Sequence, residues 1–216
     1  PIWVIYMSSS LSEEMLDLIN ELDLKTILVE TKDKDGVLPS VTIDNISASY
    51  EGTKYLLDKG LSKPAFIGVK QDTMNAWGDR FVGFEKALEE EGINIDEELL
   101  YFDNLKVKTG YEAVEKFIGS NKKFDSIVCA SDEIAIGAIN KLREKGYNVP
   151  EDISVIGFNN NHVSSYFYPR ITTISQPSYD MGSVAMRMLI KLLNKKELEQ
   201  GHYVLDYQLI QRESTK

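Results

Sequence analysis

Residues 149–160 read VPEDISVIGFNN, and residues 169–177 read PRITTISQP. The first segment predicts a buried strand, because β-favouring apolar residues run from Ile153 to Phe158 with only two small residues between them. A cluster of asparagines stands where this strand must end. An open parallel sheet binds ligands at the carboxyl ends of its strands, so the segment predicts both a fold and the place of a ligand site.

Apolar strand patterns alternate with amphipathic helix patterns along the rest of the chain. The predicted strands are 2–7, 26–30, 41–44, 65–69, 99–102, 125–130, 153–158 and 204–210, and the predicted helices are 12–22, 46–60, 75–90, 108–118, 131–146 and 180–193. This alternation is typical of an α/β fold with parallel sheets.

The bulk composition limits the classes of function. The chain has 216 residues, of which 43% are hydrophobic and 27% charged, and this is ordinary globular composition. Its net charge of −10 argues against this segment gripping DNA or an anionic membrane, because such binding depends on Lys and Arg. The single cysteine, Cys129, leaves no disulfide within the chain. With no export signal at its start, we expect a cytoplasmic location.

Motifs of catalysis and metal binding are missing from the sequence. It contains no G-x-G-x-x-G, no Walker A, no H-E-x-x-H and no paired cysteines, and His162 and His202 lack metal-ligand spacing. We therefore expect no enzyme activity, no cofactor and no metal site.

Polar side chains follow several predicted strands and are the candidate effector site. They are Arg80, Ser131, Asp132 and Asn159, together with Glu30 at the end of an earlier strand. Hydrogen-bonding groups that converge from separate elements suit a polyhydroxylated ligand such as a sugar. The alternative for each residue is local: a surface arginine, an N-cap formed by Ser131 and Asp132, and a turn former at Asn159.

The last predicted helix carries a second constellation. Asp180, Arg187 and Lys191 fall on one side of it, and its apolar face is formed by Met181, Val184, Met188 and Leu192. Two cations one turn apart predict an anion-binding surface. The alternative is an ordinary solvated helix face.

The segment VPEDISVIGF, followed by a proline, by TT and by QP, is similar to the signature of LacI/GalR-type regulators, and the whole chain resembles their effector-binding core. The resemblance implies a periplasmic-binding-protein-like α/β fold with two doubly wound parallel-sheet lobes, one of them incomplete. Three crossovers near Asn45, Gln176 and Tyr203 would separate residues 1–44 and 176–203 from residues 45–175 and 204–216. It also implies a homodimer, with the DNA-binding headpiece outside this chain.

The resemblance also bears on the effector site. In sugar-responsive members, positions like Arg80, Asp132 and Asn159 contact the effector, so a small sugar or sugar phosphate is a candidate ligand here. Three positions depart from that pattern: Ser131 stands for the usual Asn, Asn159 stands for the usual Asp, and Leu105 stands where sugar-binding members often carry an aromatic ring. An amide accepts fewer sugar hydroxyl protons than a carboxylate does, which weakens the case for a sugar.

Residues 179–191, YDMGSVAMRMLIK, resemble the catabolite control protein A subgroup of low-GC Gram-positive bacteria, as does the ending 212–216. The resemblance implies that Tyr179, Asp180, Arg187 and Lys191 dock the phosphocarrier protein HPr when HPr is phosphorylated on a serine. An arginine suits this role, because its fork donates two charge-assisted hydrogen bonds to a phosphate.

The sequence thus predicts the core of a non-enzymatic transcriptional regulator of carbon catabolism that contacts operator DNA only through its headpiece. Two alternatives remain open. One is a LacI-type repressor that releases DNA when a sugar binds, and the other, from a different class, is the sugar-binding protein of a transporter.

Overall fold

The computed structural model describes residues 2–69 and 75–216. The strands are β1 Trp3–Met7, β2 Lys25–Val29, β3 Ser40–Ile43, β4 Pro64–Val69, β5 Leu100–Asp103, β6 Ser126–Cys129, β7 Ser154–Asn159, β8 Thr172–Ser175, β9 His202–Leu205 and β10 Gln208–Ile210. The helices are α1 Glu13–Glu21, α2 Asn45–Asp58, α3 Ala76–Glu90, α4 Val107–Gly119, α5 Asp132–Glu144 and α6 Ser178–Leu193. Short 3-10 helices lie at Glu97–Leu99 and His162–Ser165. None of these helices has the length and apolar character that a membrane crossing needs.

The chain divides into two compact units. Unit 1 takes the described residues of Pro1–Asp44, Gln71–Gly78 and Pro177–Tyr207, and unit 2 takes those of Asn45–Lys70, Asp79–Gln176 and Gln208–Lys216. The described residues of Gln71–Gly78 belong to unit 1, although the sequence predicted that all of 45–175 lies in the other lobe. The last boundary falls after Tyr207 and not near Tyr203, where the sequence predicted it. The reason is that β9 pairs with β3, which keeps residues 204–207 in unit 1.

Unit 1 is built on a parallel sheet of order β1-β2-β3-β9. Helix α1 begins where predicted, because the Ser12 hydroxyl accepts a hydrogen bond from the Met15 amide at 3.2 Å and acidic residues fill the first turn. A small apolar cluster of Leu11, Ile19 and Leu28 packs α1 against the sheet.

Unit 2 contains a larger sheet of order β10-β8-β7-β6-β4-β5. Its strands are parallel except β10, which runs antiparallel to β8. The predicted single tail strand 204–210 is therefore two strands, β9 and β10, which belong to different sheets. A continuous apolar core fills unit 2, and Phe66, Phe84 and Phe117 are among its fully buried side chains. The predicted α/β class with parallel sheets is confirmed.

Helices α4 and α5 approach each other closely at two glycines. A β-carbon on Gly110 would lie 1.9 Å from the Ile134 carbonyl oxygen, and one on Gly137 would lie 1.8 Å from the Val107 carbonyl oxygen. No side chain fits at either contact. The two backbones thus fix the position of α5, whose amino-terminal end carries the predicted site residues Ser131 and Asp132.

The carboxyl-terminal segment binds the amino-terminal ends of β7 and β8. The Val155 amide donates to the Ser214 carbonyl oxygen at 2.8 Å, and the Thr172 amide donates to the Ser214 hydroxyl oxygen, also at 2.8 Å. Ser214 is fully buried there. The tail therefore acts as part of the sheet, and it places the Arg212 side chain beside the loop that follows β7.

Candidate functional site

The predicted effector residues of unit 2 follow neighbouring parallel strands. Strands β4, β6 and β7 lie side by side; Arg80 follows β4, Asp132 follows β6, and Asn159 is the last residue of β7. Because the carboxyl ends of parallel strands meet at one edge of a sheet, these residues share that edge. Glu30 ends β2 in unit 1, where its Oε2 atom accepts a hydrogen bond from the Ser9 hydroxyl at 2.9 Å.

Arg80 is a buried residue and not a surface arginine, since only 2% of it is exposed. Its Nε atom donates to Asn45 Oδ1 at 3.0 Å, and its Nη1 atom donates to the Ala130 carbonyl oxygen at 2.6 Å. The guanidinium carbon lies 3.6 Å from the centre of the Phe158 ring. These contacts fix the plane of the guanidinium group beside the ends of β6 and β7.

Ser131 is the N-cap of α5. Its hydroxyl oxygen accepts a hydrogen bond from the Ile134 amide at 3.2 Å, and the residue is fully buried. The local alternative that the sequence left open for Ser131, a helix cap, is therefore realised.

Asp132 is fully buried, and both of its carboxylate oxygens accept hydrogen bonds. Oδ2 accepts one from the Asn161 amide at 2.6 Å, and Oδ1 accepts one from the Thr173 hydroxyl at 2.7 Å. Burial raises the pKa of this carboxyl from 3.8 to about 6, and the hydrogen bonds from Thr173 and Asn161 oppose that shift only in part. The carboxylate thus joins α5 to β8 and to the loop after β7.

Asn159 and Asn160 both adopt positive φ angles, of 98° and 55°. The Asn160 amide donates to the Thr173 hydroxyl oxygen at 3.2 Å, and the Asn160 side chain joins Ser175 and Arg212. The Asn159 Oδ1 atom is buried and has no hydrogen-bond partner among residues 2–69 and 75–216. An acceptor in this state is costly, by about 1–3 kcal/mol, so a ligand that supplies a donor would gain from satisfying it.

Thr173, Asn161 and Arg212 are site residues that the sequence did not predict. Thr173 and Arg212 lie in segments that resemble the family signature, whereas Asn161 lies just after residues 149–160 and outside all of these segments. Their contacts depend on how the tail and the loop after β7 fold back onto β8, and no spacing in the sequence reveals that.

The predicted docking residues lie on α6 of unit 1, and their exposure differs. Tyr179 is 86% exposed, and Asp180 and Arg187 are also exposed. Lys191 is half-buried, and its Nζ atom lies 2.7 Å from Glu199 Oε1. The buried face of the helix consists of Met181, Ala185 and Met188. Of the two predicted cations, Lys191 already has an acidic partner within the chain.

Comparisons with known proteins show the family to which this fold belongs. Residues 53–215 match the model of the periplasmic binding protein-like domain. The chain belongs to this family. Within it, the chain has the effector-binding core of LacI/GalR-type regulators, so the resemblance inferred from residues 149–177 is confirmed.

Particular relatives support the assignment. The chain is 68% identical over 212 residues to the HTH-type transcriptional regulator RegA of Clostridium saccharobutylicum, a match that covers 98% of this chain and 64% of RegA. The crystal structure of the transcription regulator CcpA of Lactococcus lactis superposes with a TM-score of 0.92 at 36% identity, and covers 99% of this chain and 78% of that one. A complex of the transcriptional regulator CelR with cellobiose gives a TM-score of 0.88 at 27% identity, and covers 97% and 64%. The chain thus spans about two thirds of its curated relative RegA.

Proposed function

We propose that this chain is the effector-binding and dimerisation core of a LacI-type DNA-binding transcriptional regulator that controls carbon catabolism. Its relatives named above are called transcriptional regulators. The chain itself carries a net charge of −10, so contact with operator DNA would belong to a headpiece outside it. The role is not enzymatic, because the core would act by binding effectors and a partner protein.

We propose that the regulatory signal for this core is the docking of serine-phosphorylated HPr on α6. One observation carries the proposal: Arg187 is exposed, and among residues 2–69 and 75–216 no carboxylate forms an ion pair with it. An exposed guanidinium group without an acidic partner can accept a bidentate phosphate without first breaking an internal bond. Unphosphorylated HPr would lack the group that Arg187 binds.

The other docking residues would have distinct roles. Tyr179 offers a large exposed ring close to Asp180, and Asp180 suits a basic side chain of the partner. Lys191 must break or share its ion pair with Glu199 before it can bind a phosphate. It would therefore contribute less to the binding free energy than Arg187. Phosphate selectivity would therefore depend mainly on one residue.

Homodimer formation is the second part of the proposal. In unit 2, Val163, Tyr166 and Tyr168 are exposed in and just after the 3-10 helix His162–Ser165, and the two tyrosines are 76% and 77% exposed. Large aromatic side chains of this kind are enriched in the buried centres of protein interfaces. A second copy of the chain would cover them. Sedimentation of wild type and of the double variant Tyr166→Ser and Tyr168→Ser should give a dimer and a monomer, and unchanged sedimentation would contradict this part.

A sugar-inducible repressor remains the second candidate, and one observation favours it. The Asn159 Oδ1 atom, which has no partner in the described part of the chain, and the buried Arg80 side chain lie on the edge of the sheet where ligands of this fold bind. A hydroxylated ligand such as a small sugar or sugar phosphate would offer a donor to Asn159. If this candidate is correct, cellobiose or a hexose phosphate should raise the unfolding temperature in the absence of HPr.

The docking proposal is tested by mapping where phosphorylated HPr touches the chain. In a nitrogen-15-labelled sample, we expect the largest amide shift changes between Tyr179 and Lys191, with little change at Asn159. Unphosphorylated HPr should give much smaller changes at the same concentration. Changes centred on Asn159 or on Tyr166, with α6 undisturbed, would overturn the proposed docking surface.

A further inference from the structure

Asp132 makes its contacts inside the protein and not towards a ligand. No part of the residue is exposed, and its two oxygens are engaged at 2.6 and 2.7 Å by the Asn161 amide and the Thr173 hydroxyl. A ligand cannot reach this carboxylate unless those bonds break. Both Asp132 oxygens thus already have donors within the protein, whereas the buried Asn159 Oδ1 atom has no partner among the described residues, and this difference separates Asp132 from Asn159 as an effector contact.

The loop that Asp132 holds has an unfavourable backbone. Asn159 has φ 98°, beyond the usual left-handed region, and Asn160 follows at φ 55°. Residues in such conformations persist only where the surroundings hold them there. Here the Asn160 amide is fixed by Thr173, and the Asn161 amide is fixed by Asp132.

Gly157 provides independent support for this role. It stands in β7, two residues before Asn159, and a β-carbon there would lie 2.3 Å from Asp132 Oδ1. A glycine weakens a strand interior, so its presence fits a close approach by another group. The carboxylate packs against the bare backbone of β7 in the space that Gly157 leaves.

We propose that Asp132 is a positioning residue of the effector site: with Thr173, it holds the Asn159–Asn161 loop so that Asn159, and not Asp132, meets the effector. The inference rests on the proposed small-molecule site of unit 2 and refines it. Thr173 connects Asp132 to the Asn159–Asn161 loop, because its hydroxyl donates a hydrogen bond to Asp132 and accepts one from the Asn160 amide.

The neighbouring strand residue supplies a matched control. Thr172 is buried like Thr173, but its hydroxyl contacts the backbone of Arg212 and the side chain of Thr215 in the tail. Among the described residues it makes no direct hydrogen bond to the loop. Thr172→Val and Thr173→Val thus remove the same group from adjacent buried positions. Only the second substitution removes a contact to the Asn159–Asn161 loop, and Thr173→Ser keeps that contact.

The test is amide hydrogen exchange at Asn160 and Asn161 in the chain without ligand. Thr173→Val should speed exchange at both amides by about tenfold or more, as expected when a buried hydrogen bond is lost. Thr173→Ser should restore slow exchange, and Thr172→Val should leave the two amides within about threefold of wild type even if it lowers global stability. Equal effects of the two valine variants, or none at either amide, would overturn the proposal.

A pH titration adds a readout that a purely structural role would not move. The Asn161 amide proton shift should follow the ionisation of Asp132, with a midpoint near pH 6, and should stop titrating in Asp132→Asn. Glu133, Arg212 and Cys129 are the other titratable groups around this carboxylate, so the Asp132→Asn control is needed. Persistence of the same titration in that variant would overturn the proposal. Neither experiment involves HPr or a sugar, so both stay decisive if the docking proposal fails.

Discussion

At the scale of single residues, the two cations of the predicted anion site on α6 differ in whether they form an ion pair. Lys191 and Glu199 form an ion pair at 2.7 Å, while Arg187 has no such partner in the described part of the chain. The sequence places both cations on one side of the helix. It does not show that Glu199, eight positions after Lys191, folds back to form an ion pair with it. The difference makes the two residues unequal in the proposed docking.

Replacement of Arg187 by alanine should weaken binding of serine-phosphorylated HPr by about 10- to 100-fold, the loss expected when charge-assisted hydrogen bonds to a phosphate disappear. The free energy of unfolding should change by less than about 0.5 kcal/mol, because the side chain is exposed. Lys34→Ala, which removes an exposed cation from another part of unit 1, is the control and should bind nearly as wild type. A parallel loss of stability in Arg187→Ala would mean that the residue is structural.

Asp132 should make the stability of the chain depend on pH. The carboxyl titrates near 3.8 when unfolded and near 6 when folded, so the folded state binds the proton more tightly. The contribution of Asp132 to stability is complete below about pH 4 and is lost as the pH rises through 6, by about 3 kcal/mol in total.

Urea unfolding of wild type and Asp132→Asn at pH 4.5 and 7.5 isolates this contribution. The variant carries no charge at this position. The free energy of unfolding of wild type, relative to that of the variant, should therefore be lower at pH 7.5 than at pH 4.5. A difference that stays constant with pH would show that the pKa of Asp132 is close to its ordinary value.

At the scale of elements, the sequence predicted most helices and strands but not every partner. Helix α1 and the Ser131 cap of α5 came from local signals, and the structure contains both. Strand β8 was read only as part of a crossover, and 204–210 as one strand, because short segments carry too little periodicity to show which sheet they join. For the same reason, the site contacts of Thr173 and Arg212 could not be predicted.

The packing of α4 on α5 gives an element-scale prediction. Gly137→Ala and Gly110→Ala should each destabilise the chain by about 1–3 kcal/mol or more, since each new methyl group would collide with a backbone carbonyl. Gly119→Ala in α4 is the matched control, because nothing lies within 4 Å of its β-carbon, and it should be neutral or slightly stabilising. Chemical unfolding monitored by circular dichroism measures all three. Similar values for the three variants would contradict the close backbone contact.

At the scale of the whole molecule, the two units differ in the size of their cores. Unit 2 has a six-stranded sheet and a continuous apolar core. Unit 1 has four strands, a small apolar cluster under α1, and buried residues such as Ile27, Val41 and Met181 where α6 packs on the sheet. Because stability rises with the apolar surface that folding buries, unit 1 should be the less stable of the two.

This difference predicts unfolding in two steps. Leu28→Ala in unit 1 should lower mainly the first transition, and Phe117→Ala in unit 2 should lower mainly the second, each by about 2–5 kcal/mol. Hydrogen exchange resolved by residue would assign the steps, with the amides of β1 and β2 exchanging before those of β6 and β7. One transition that shifts equally in both variants would show that the units unfold together.

The measurement that tests the central claim most directly is a calorimetric titration of this chain with HPr, once unphosphorylated and once phosphorylated on serine. We predict saturable binding of the phosphorylated form and at least tenfold weaker binding of the other, because Arg187 recognises the phosphate. Equal affinity for both forms, or no binding of either, would contradict the docking proposal. The sugar-inducible reading, centred on Arg80 and Asn159, would then take its place.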